Sequence, residues 1–186
     1  DRIQKHCFNG GPLSVPAMRG SLLTRSNEIQ RAIVAESARW GDAKRAATPF
    51  TRVDWVNAMN TVFSSFVNGR TTVLINQLKA DGLFPTVNAP LLSSYGGVVA
   101  NGFALYLTNN NAAGTIYYTL NGTDPRLRGG DISGSAIADT PGTPIVMNFP
   151  TTVRARVRNG TTWSAIVEAT FYPAQDFSNL IFTEIN

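Results

Sequence analysis

The sequence predicts an α+β protein with a helical segment over residues 1–88 and a small antiparallel β-sandwich over residues 89–173. Apolar residues recur every three or four positions in the first segment and every second position in the next one. In the second segment, Gly, Asn, Pro and Thr separate the short apolar runs, as is typical of a sandwich. This change of period predicts two domains, and we expect residues 174–186 to form a linker and the first strand of a following domain.

The first long helix of three is predicted over about residues 16–40, where apolar side chains recur at helical spacing. Gly41 follows as its predicted stop. Glu36 shares the spacing of the apolar stripe, so we expect its carboxylate to face that stripe in a structural ion pair with Arg39 or Arg52. The alternative role, a general acid or base, needs a second titratable group in a cleft.

The second predicted helix begins at Thr51, because Thr51 and Asp54 have the spacing of a capping box. Its predicted apolar face includes Phe66, and the helix is expected to break at Asn68-Gly69. The third predicted helix covers residues 71–79.

Strands of the sandwich are predicted over residues 103–108, 115–120, 152–158 and 163–172, where apolar and polar residues alternate. The last two runs are expected to pair with their apolar residues on one face. A two-residue turn at Asn159-Gly160 would instead place an arginine on that face. We therefore predict a three-residue connection, or a bulge, in place of a simple two-residue turn.

Composition excludes several classes of function. The 186 residues are 43% hydrophobic and 15% charged, which suits a folded protein. Cys7 and His6 are the only cysteine and histidine, which excludes disulfide frameworks and zinc fingers. The net charge of +4 is too weakly clustered for a nucleic-acid partner, and no run reaches the roughly 18 apolar residues of a membrane span. We also find no glycine-rich phosphate loop, and predict no cofactor and no metal.

Several motifs in the first segment resemble the C-terminal part of CotH-type proteins, a family of spore-coat protein kinase-like proteins. The motifs are residues 1–6 (DRIQKH), 9–13 (NGGPL), 36–42 (ESARWGD) and 82–85 (GLFP). In that family the nucleotide- and metal-binding acidic residues lie upstream of the segment resembled here. The resemblance therefore implies closing helices without an active site, and no catalytic residue is transferred.

The second segment is similar to the chitobiase C-terminal or fibronectin-III-associated β-sandwich, which implies an immunoglobulin/fibronectin-III-like fold. The similarity is carried by residues 114–126 (GTIYYTLNGTDPR), 153–156 (VRAR) and 163–164 (WS). Residues 180–186 (LIFTEIN) resemble the opening strand of a lamin-tail-like domain.

Arg154, Arg156 and Arg158 are predicted to project from one face of a strand. One interpretation is a solvated outer face, partly balanced by Glu168. The other is a ladder that docks an anionic polysaccharide, a cell-wall polymer or another protein domain.

Aromatic residues offer a second candidate surface. Tyr106 and Tyr117 fall on the polar faces of their strands, where they could contact sugar rings, whereas Tyr118 and Trp163 fall on apolar faces and are predicted to be core. Asp124 is predicted to bond local backbone in a turn. The residues assigned structural roles are Glu36, Arg39, Trp40, Asp42, Tyr118, Asp124 and Trp163.

Together these observations predict a non-catalytic structural or interaction fragment of a large secreted or cell-surface bacterial protein. Its sandwich would act as a spacer or docking module, and its partner would be the upstream part of the same polypeptide or another protein chain. One alternative is an accessory part of a CotH-type kinase whose active site lies upstream. A second alternative is a carbohydrate-binding module.

Overall fold

The computed structural model describes residues 1–175, so the predicted lamin-tail-like strand lies outside the described residues. The chain divides into two compact units. The helical unit comprises Arg2–Phe84, and the sandwich unit comprises Asp1 together with the chain from Pro85 onward. Helices followed by sheets confirm the predicted α+β class. Within the described residues, no helix is both long and apolar enough to cross a membrane.

The helical unit contains α-helices and one π-helical turn. Their bounds are α1, Arg2–Cys7; α2, Val15–Lys44; α3, Arg52–Thr61; the π-helical turn, Val62–Val67; and α4, Asn68–Ala80.

Helix α2 continues through the glycine that was predicted to stop it. Gly41 is buried within α2, and its carbonyl oxygen accepts a hydrogen bond of 2.9 Å from the Phe50 N–H. A Cβ atom at Gly41 would collide with the Phe50 carbonyl oxygen. The glycine therefore permits a close backbone approach and does not end the helix, which corrects the prediction.

The predicted capping box at the start of α3 is confirmed. The Val53 N–H donates to Thr51 Oγ1 over 3.2 Å, and the Thr51 N–H donates to Asp54 Oδ2 over 2.8 Å. Arg45 also donates to Asp54 over 2.8 Å. The Thr51 backbone bond, with the Arg45 and Thr51 side chains, lowers the pKa of Asp54 to about 2. The ionised carboxylate is thus part of the helix start.

The predicted break at Asn68-Gly69 is wrong, because the helix passes from α3 through the π-helical turn into α4. The Asn68 side chain donates to the Ser64 carbonyl over 3.2 Å, within the helix. A π-helical turn holds more residues than an α-helical turn and so rotates the following side chains. As a result Val67 is buried at 3% exposure, while Phe66, predicted on the apolar face, is 58% exposed.

The helical unit buries few large apolar side chains and exposes many. Its exposed large hydrophobic residues are Leu13, Leu23, Ile29, Val34, Trp40, Phe50, Val53, Phe66, Val73 and Leu83. On a self-contained helical domain, most side chains of this kind would line the core.

The sandwich unit is built from short strands around two longer ones. Their bounds are β1, Leu91–Leu92; β2, Gly97–Val99; β3, Phe103–Leu105; β4, Leu107–Thr108; β5, Thr115–Thr119; β6, Ile137–Ala138; β7, Ile145–Met147; β8, Thr151–Asn159; β9, Thr162–Trp163; and β10, Val167–Pro173.

Six strands form one sheet in the order β2–β10–β8–β5–β6, with β9 also paired to β8. The β2–β10 pair is parallel and the other pairs are antiparallel, as predicted for the sandwich, so this sheet is mixed at one edge. Two further sheets of two strands each, β1–β4 and β3–β7, are antiparallel. Apolar residues of the large sheet and of both small sheets form one core, in which Leu105, Val153, Val157 and Phe171 are fully buried.

The connection after β8 has two residues, which corrects the three-residue prediction. Arg158 pairs with Trp163 and Asn159 with Thr162, leaving Gly160-Thr161 as the loop. Further along, Ala155 pairs with Val167, so one extra residue has entered the second strand between Trp163 and Val167. This bulge was the alternative means predicted for bringing the apolar residues of β8 and β10 to one face.

Candidate functional site

The outer face of β5 and β8 is covered by residues 121–135, here called the covering loop. Thr119 Oγ1 donates to the Thr123 carbonyl over 2.6 Å, and Trp163 Nε1 donates to the Gly130 carbonyl over 2.6 Å. Pro125 is fully buried. The face predicted to be solvated is therefore largely closed by the chain itself.

Arg156 lies beneath this loop at 3% exposure. Its guanidinium donates to both carboxylate oxygens of Asp124 over 2.8 and 2.7 Å, and to both oxygens of Asp1 over 2.9 and 2.7 Å. It also donates to the Ser164 carbonyl over 2.7 Å. Such bidentate pairs are the strong form of the charge-assisted hydrogen bond. The prediction that Arg156 is an exposed rung of a docking ladder is wrong, because its donors are used internally.

Asp124 joins the covering loop to this arginine. The prediction that it bonds local backbone is confirmed, since the Arg126 N–H donates to Asp124 Oδ1 over 2.9 Å. Burial alone would raise the pKa of Asp124, but the hydrogen bonds from Arg156 and the Arg126 N–H, with both positive charges, outweigh burial and lower the pKa. Asp124 therefore remains ionised and paired.

The other two arginines of β8 also have neighbours within the sandwich unit. Arg154 donates to Glu168 over 2.6 Å, in a pair that is about one-third exposed on each side. The Arg158 guanidinium carbon lies 5.6 Å from the centre of the Trp163 ring. Its buried Nε atom has no hydrogen-bond partner among the described residues. Ligand binding by Arg154 and Arg158 stays a prediction.

Trp163 is buried, but beneath the covering loop and not in the core between the sheets. Because Trp163 pairs with Arg158, its side chain lies on the outer face of the sheet. The sequence predicted Trp163 on the core face because the alternation was followed through the position of the bulge, where the extra residue reverses it. The Tyr117 ring lies 5.7 Å from the Trp163 ring, so Tyr117 is part of this packing, whereas Tyr106 is 44% exposed. Tyr118 packs against the core as predicted.

In the helical unit, Glu36 is exposed, and no hydrogen bond or ion pair to it occurs among the described residues. Arg39 stacks on the Trp40 ring at 5.0 Å, and Arg52 donates to Gln30 over 3.0 Å. The predicted buried ion pair of Glu36 is therefore wrong. The Asp42 carbonyl accepts a hydrogen bond from the Arg45 N–H over 3.2 Å at the end of α2.

A cleft of about 360 Å³ opens at the β6 edge of the large sheet. Its wall includes Asp139, which directly follows β6 and whose N–H donates to the Ile116 carbonyl over 2.9 Å. Burial raises the pKa of Asp139. Burial and then the Asp139 charge raise the pKa of the Tyr118 hydroxyl. In the sequence, Asp139 had no signal that set it apart from other loop aspartates.

Two common catalytic arrangements are a metal-ligand cluster and a reactive thiol, and Cys7 is a buried free cysteine. No group of three His, Cys, Asp or Glu that could hold a metal ion occurs within residues 1–175. Burial raises the pKa of the Cys7 thiol, which opposes formation of a nucleophilic thiolate.

Residues 105–171 match the model of the family described as Fn3 associated. This match supports a fibronectin-III-associated domain in the sandwich unit, and such a domain indicates a non-catalytic accessory module. Comparisons of the chain with curated proteins and with solved structures gave no match.

Proposed function

We propose that the chain is a non-catalytic structural module of a large secreted or cell-surface bacterial protein. In this proposal the sandwich unit is a stiff spacer. The helical unit packs against the upstream part of the same polypeptide, which would be the CotH-type part that the helical motifs resemble.

The observation that carries the proposal is that every hydrogen-bond donor of the Arg156 guanidinium has an acceptor within the sandwich unit. Its guanidinium makes five hydrogen bonds, to Asp124, Asp1 and Ser164, and none of its nitrogens is left without an acceptor. A buried, fully paired arginine holds the covering loop to the sheet and leaves no free donor for a ligand. That arrangement suits a spacer better than a receptor for an anionic polymer.

The helical unit supports the second half of the proposal through its exposed apolar side chains. Val53 is 64% exposed on the first turn of α3, and Leu83 is 67% exposed near the end of the unit. Large exposed apolar side chains are typical of surfaces that another protein segment covers. A segment of the same polypeptide fits best, because it needs no separate binding event.

The test compares one substitution in two contexts, this chain and the longer native polypeptide. In this chain Val53→Gln should leave the unfolding temperature unchanged or raise it slightly, since the site is exposed and Gln favours helices. In the longer polypeptide the same change should lower that temperature, because a covered apolar contact is lost. Thermal unfolding of both proteins provides the measurement.

Ala58→Gln is the matched control, because Ala58 is an exposed residue of the same helix that lies about 140° around the helix axis from Val53. It should be neutral in both contexts. If Val53→Gln proved neutral in both contexts as well, no upstream segment would cover this face, and the docking half of the proposal would be refuted.

A further inference from the structure

The cleft beside β6 lies between the two layers of the sandwich unit. Leu107 and Thr108 come from β4 of a small sheet, whereas Ile116 comes from β5 of the large sheet. Leu107 and Ile116 are buried and Thr108 is exposed, so the cleft has an apolar base and a polar opening. Its volume of about 360 Å³ falls within the range of small-ligand sites.

Among the described residues that line this cleft, Asp139 is the one with a charged side chain. Ile137 pairs with Tyr118, which packs against the core, and Asp139 lies two residues further along the same strand direction. Residues two apart on a strand share a face, so Asp139 lies on the core-facing side of the sheet edge. It is only partly exposed there.

The Asp139 carboxylate accepts no hydrogen bond and makes no ion pair among the described residues. By contrast, Asp124, Asp54 and Glu168 each pair with an arginine. A partly desolvated carboxylate without a partner is costly to the fold, and its raised pKa reflects that cost. A cation in the cleft would remove the cost.

We propose that this cleft binds a primary alkylammonium group, with the nitrogen on Asp139 and the alkyl stem along Leu107 and Ile116. The ammonium donates to the Asp139 carboxylate, and its other two donors face water at the polar opening of the cleft. An alkyl stem suits the apolar base of the cleft. This ligand site lies beyond the spacer role and does not depend on it.

Other ligand classes fit the wall less well. A calcium ion takes six to eight oxygen ligands, of which several are carboxylates, and the cleft provides a single carboxylate. A sugar ring usually stacks on an aromatic side chain, and no aromatic residue is among those that line the described cleft. An inward-pointing charge on an edge strand can also serve to block pairing with another chain, which is the rival explanation of Asp139.

The test is an NMR titration of the full chain with pentylammonium chloride, with 1-pentanol as the uncharged counterpart. Pentylammonium should give saturable shifts at the amides of Thr108, Thr115 and Asp139, and 1-pentanol should not. Asp139→Asn should weaken binding roughly tenfold or more, because a charge-assisted hydrogen bond is lost. Asp131→Asn is the matched control, since Asp131 is an exposed aspartate of the covering loop, and it should leave affinity unchanged.

Thermal unfolding of Asp139→Asn guards against a folding artefact, and the variant should be at least as stable as the parent chain. A titration with lysine whose α-amino and α-carboxyl groups are blocked distinguishes two sources of the cation. Binding as tight as that of pentylammonium indicates a lysine of a protein partner, whereas weaker binding indicates a free amine. The absence of saturable pentylammonium shifts, or equal losses in both aspartate variants, would overturn the proposal. Self-association of Asp139→Asn without amine binding by the parent chain would instead establish edge protection.

Discussion

At Arg156 one guanidinium joins three segments of the sandwich unit: Asp1, the covering loop through Asp124, and the bulge through Ser164. The arginine therefore acts as a structural centre of the outer face, in addition to the apolar core on the opposite face.

Replacement of Arg156 by Met should lower the free energy of unfolding by about 3 kcal/mol, because a buried charge network loses its cation. The measurement is chemical denaturation of both proteins near neutral pH. Arg154→Met is the matched control on the same strand, and its partly exposed pair with Glu168 should be worth at most about 1 kcal/mol. Equal losses in the two variants would contradict the structural role given to Arg156.

The same pair of proteins should show a defined acid dependence. Asp124 has a lowered pKa in the folded chain, so its stabilising contribution is complete above the ordinary value of 3.8. That contribution is lost as the pH falls through the lower folded-state pKa. The stability difference between the parent chain and Arg156→Met should therefore shrink below pH 3.8.

Among the elements, α2 and α4 each contain a glycine in a different setting. Gly41 of α2 faces the Phe50 backbone, whereas a Cβ atom at Gly69 of α4 would meet no atom within 4 Å. Both glycines carry the same helix-propensity cost, so packing alone distinguishes them.

Gly41→Ala should destabilise the chain by about 1 to 3 kcal/mol, because the added methyl group forces α2 away from Phe50. Gly69→Ala should stabilise it by about 1 kcal/mol, since alanine favours the helix and has room there. Circular dichroism during thermal unfolding measures both effects. A stabilising Gly41→Ala would show that the close approach to Phe50 is absent.

Local signals in the sequence predicted some of these elements and missed others. The capping box at Thr51 and Asp54 was found because it depends on residues three apart. The role of Gly41 was misjudged because glycine ends a helix in one context and permits close packing in another. Only the tertiary neighbour, Phe50 for Gly41, decides between them.

The candidate site was harder to predict than the fold. Alternation in β8 identified the core face of Val153, Ala155 and Val157, but it assumed that the opposite face is exposed. The covering loop closes that face through contacts between residues up to 33 positions apart, such as Gly130 with Trp163. No local pattern in a single sequence reports such pairs.

At the scale of the whole molecule, the two units differ in how many large apolar side chains each one buries. Both units expose large apolar side chains, but the sandwich unit also buries a continuous apolar core, whereas the helical unit buries few residues of this kind. A unit with a complete apolar core suits a spacer, and a unit with a small core suits packing against another protein segment. This contrast supports the proposed division of roles.

The central claim is that the arginine face of the sandwich unit is an internal structural feature and not a receptor for anionic polymers. It is tested most directly by titrating the full chain with polygalacturonate at low salt, alongside the triple variant Arg154→Ser, Arg156→Ser, Arg158→Ser, with thermal unfolding of both. We predict no saturable binding by the parent chain and a clearly lower unfolding temperature for the variant. Saturable binding that disappears in a variant of unchanged unfolding temperature would contradict the claim.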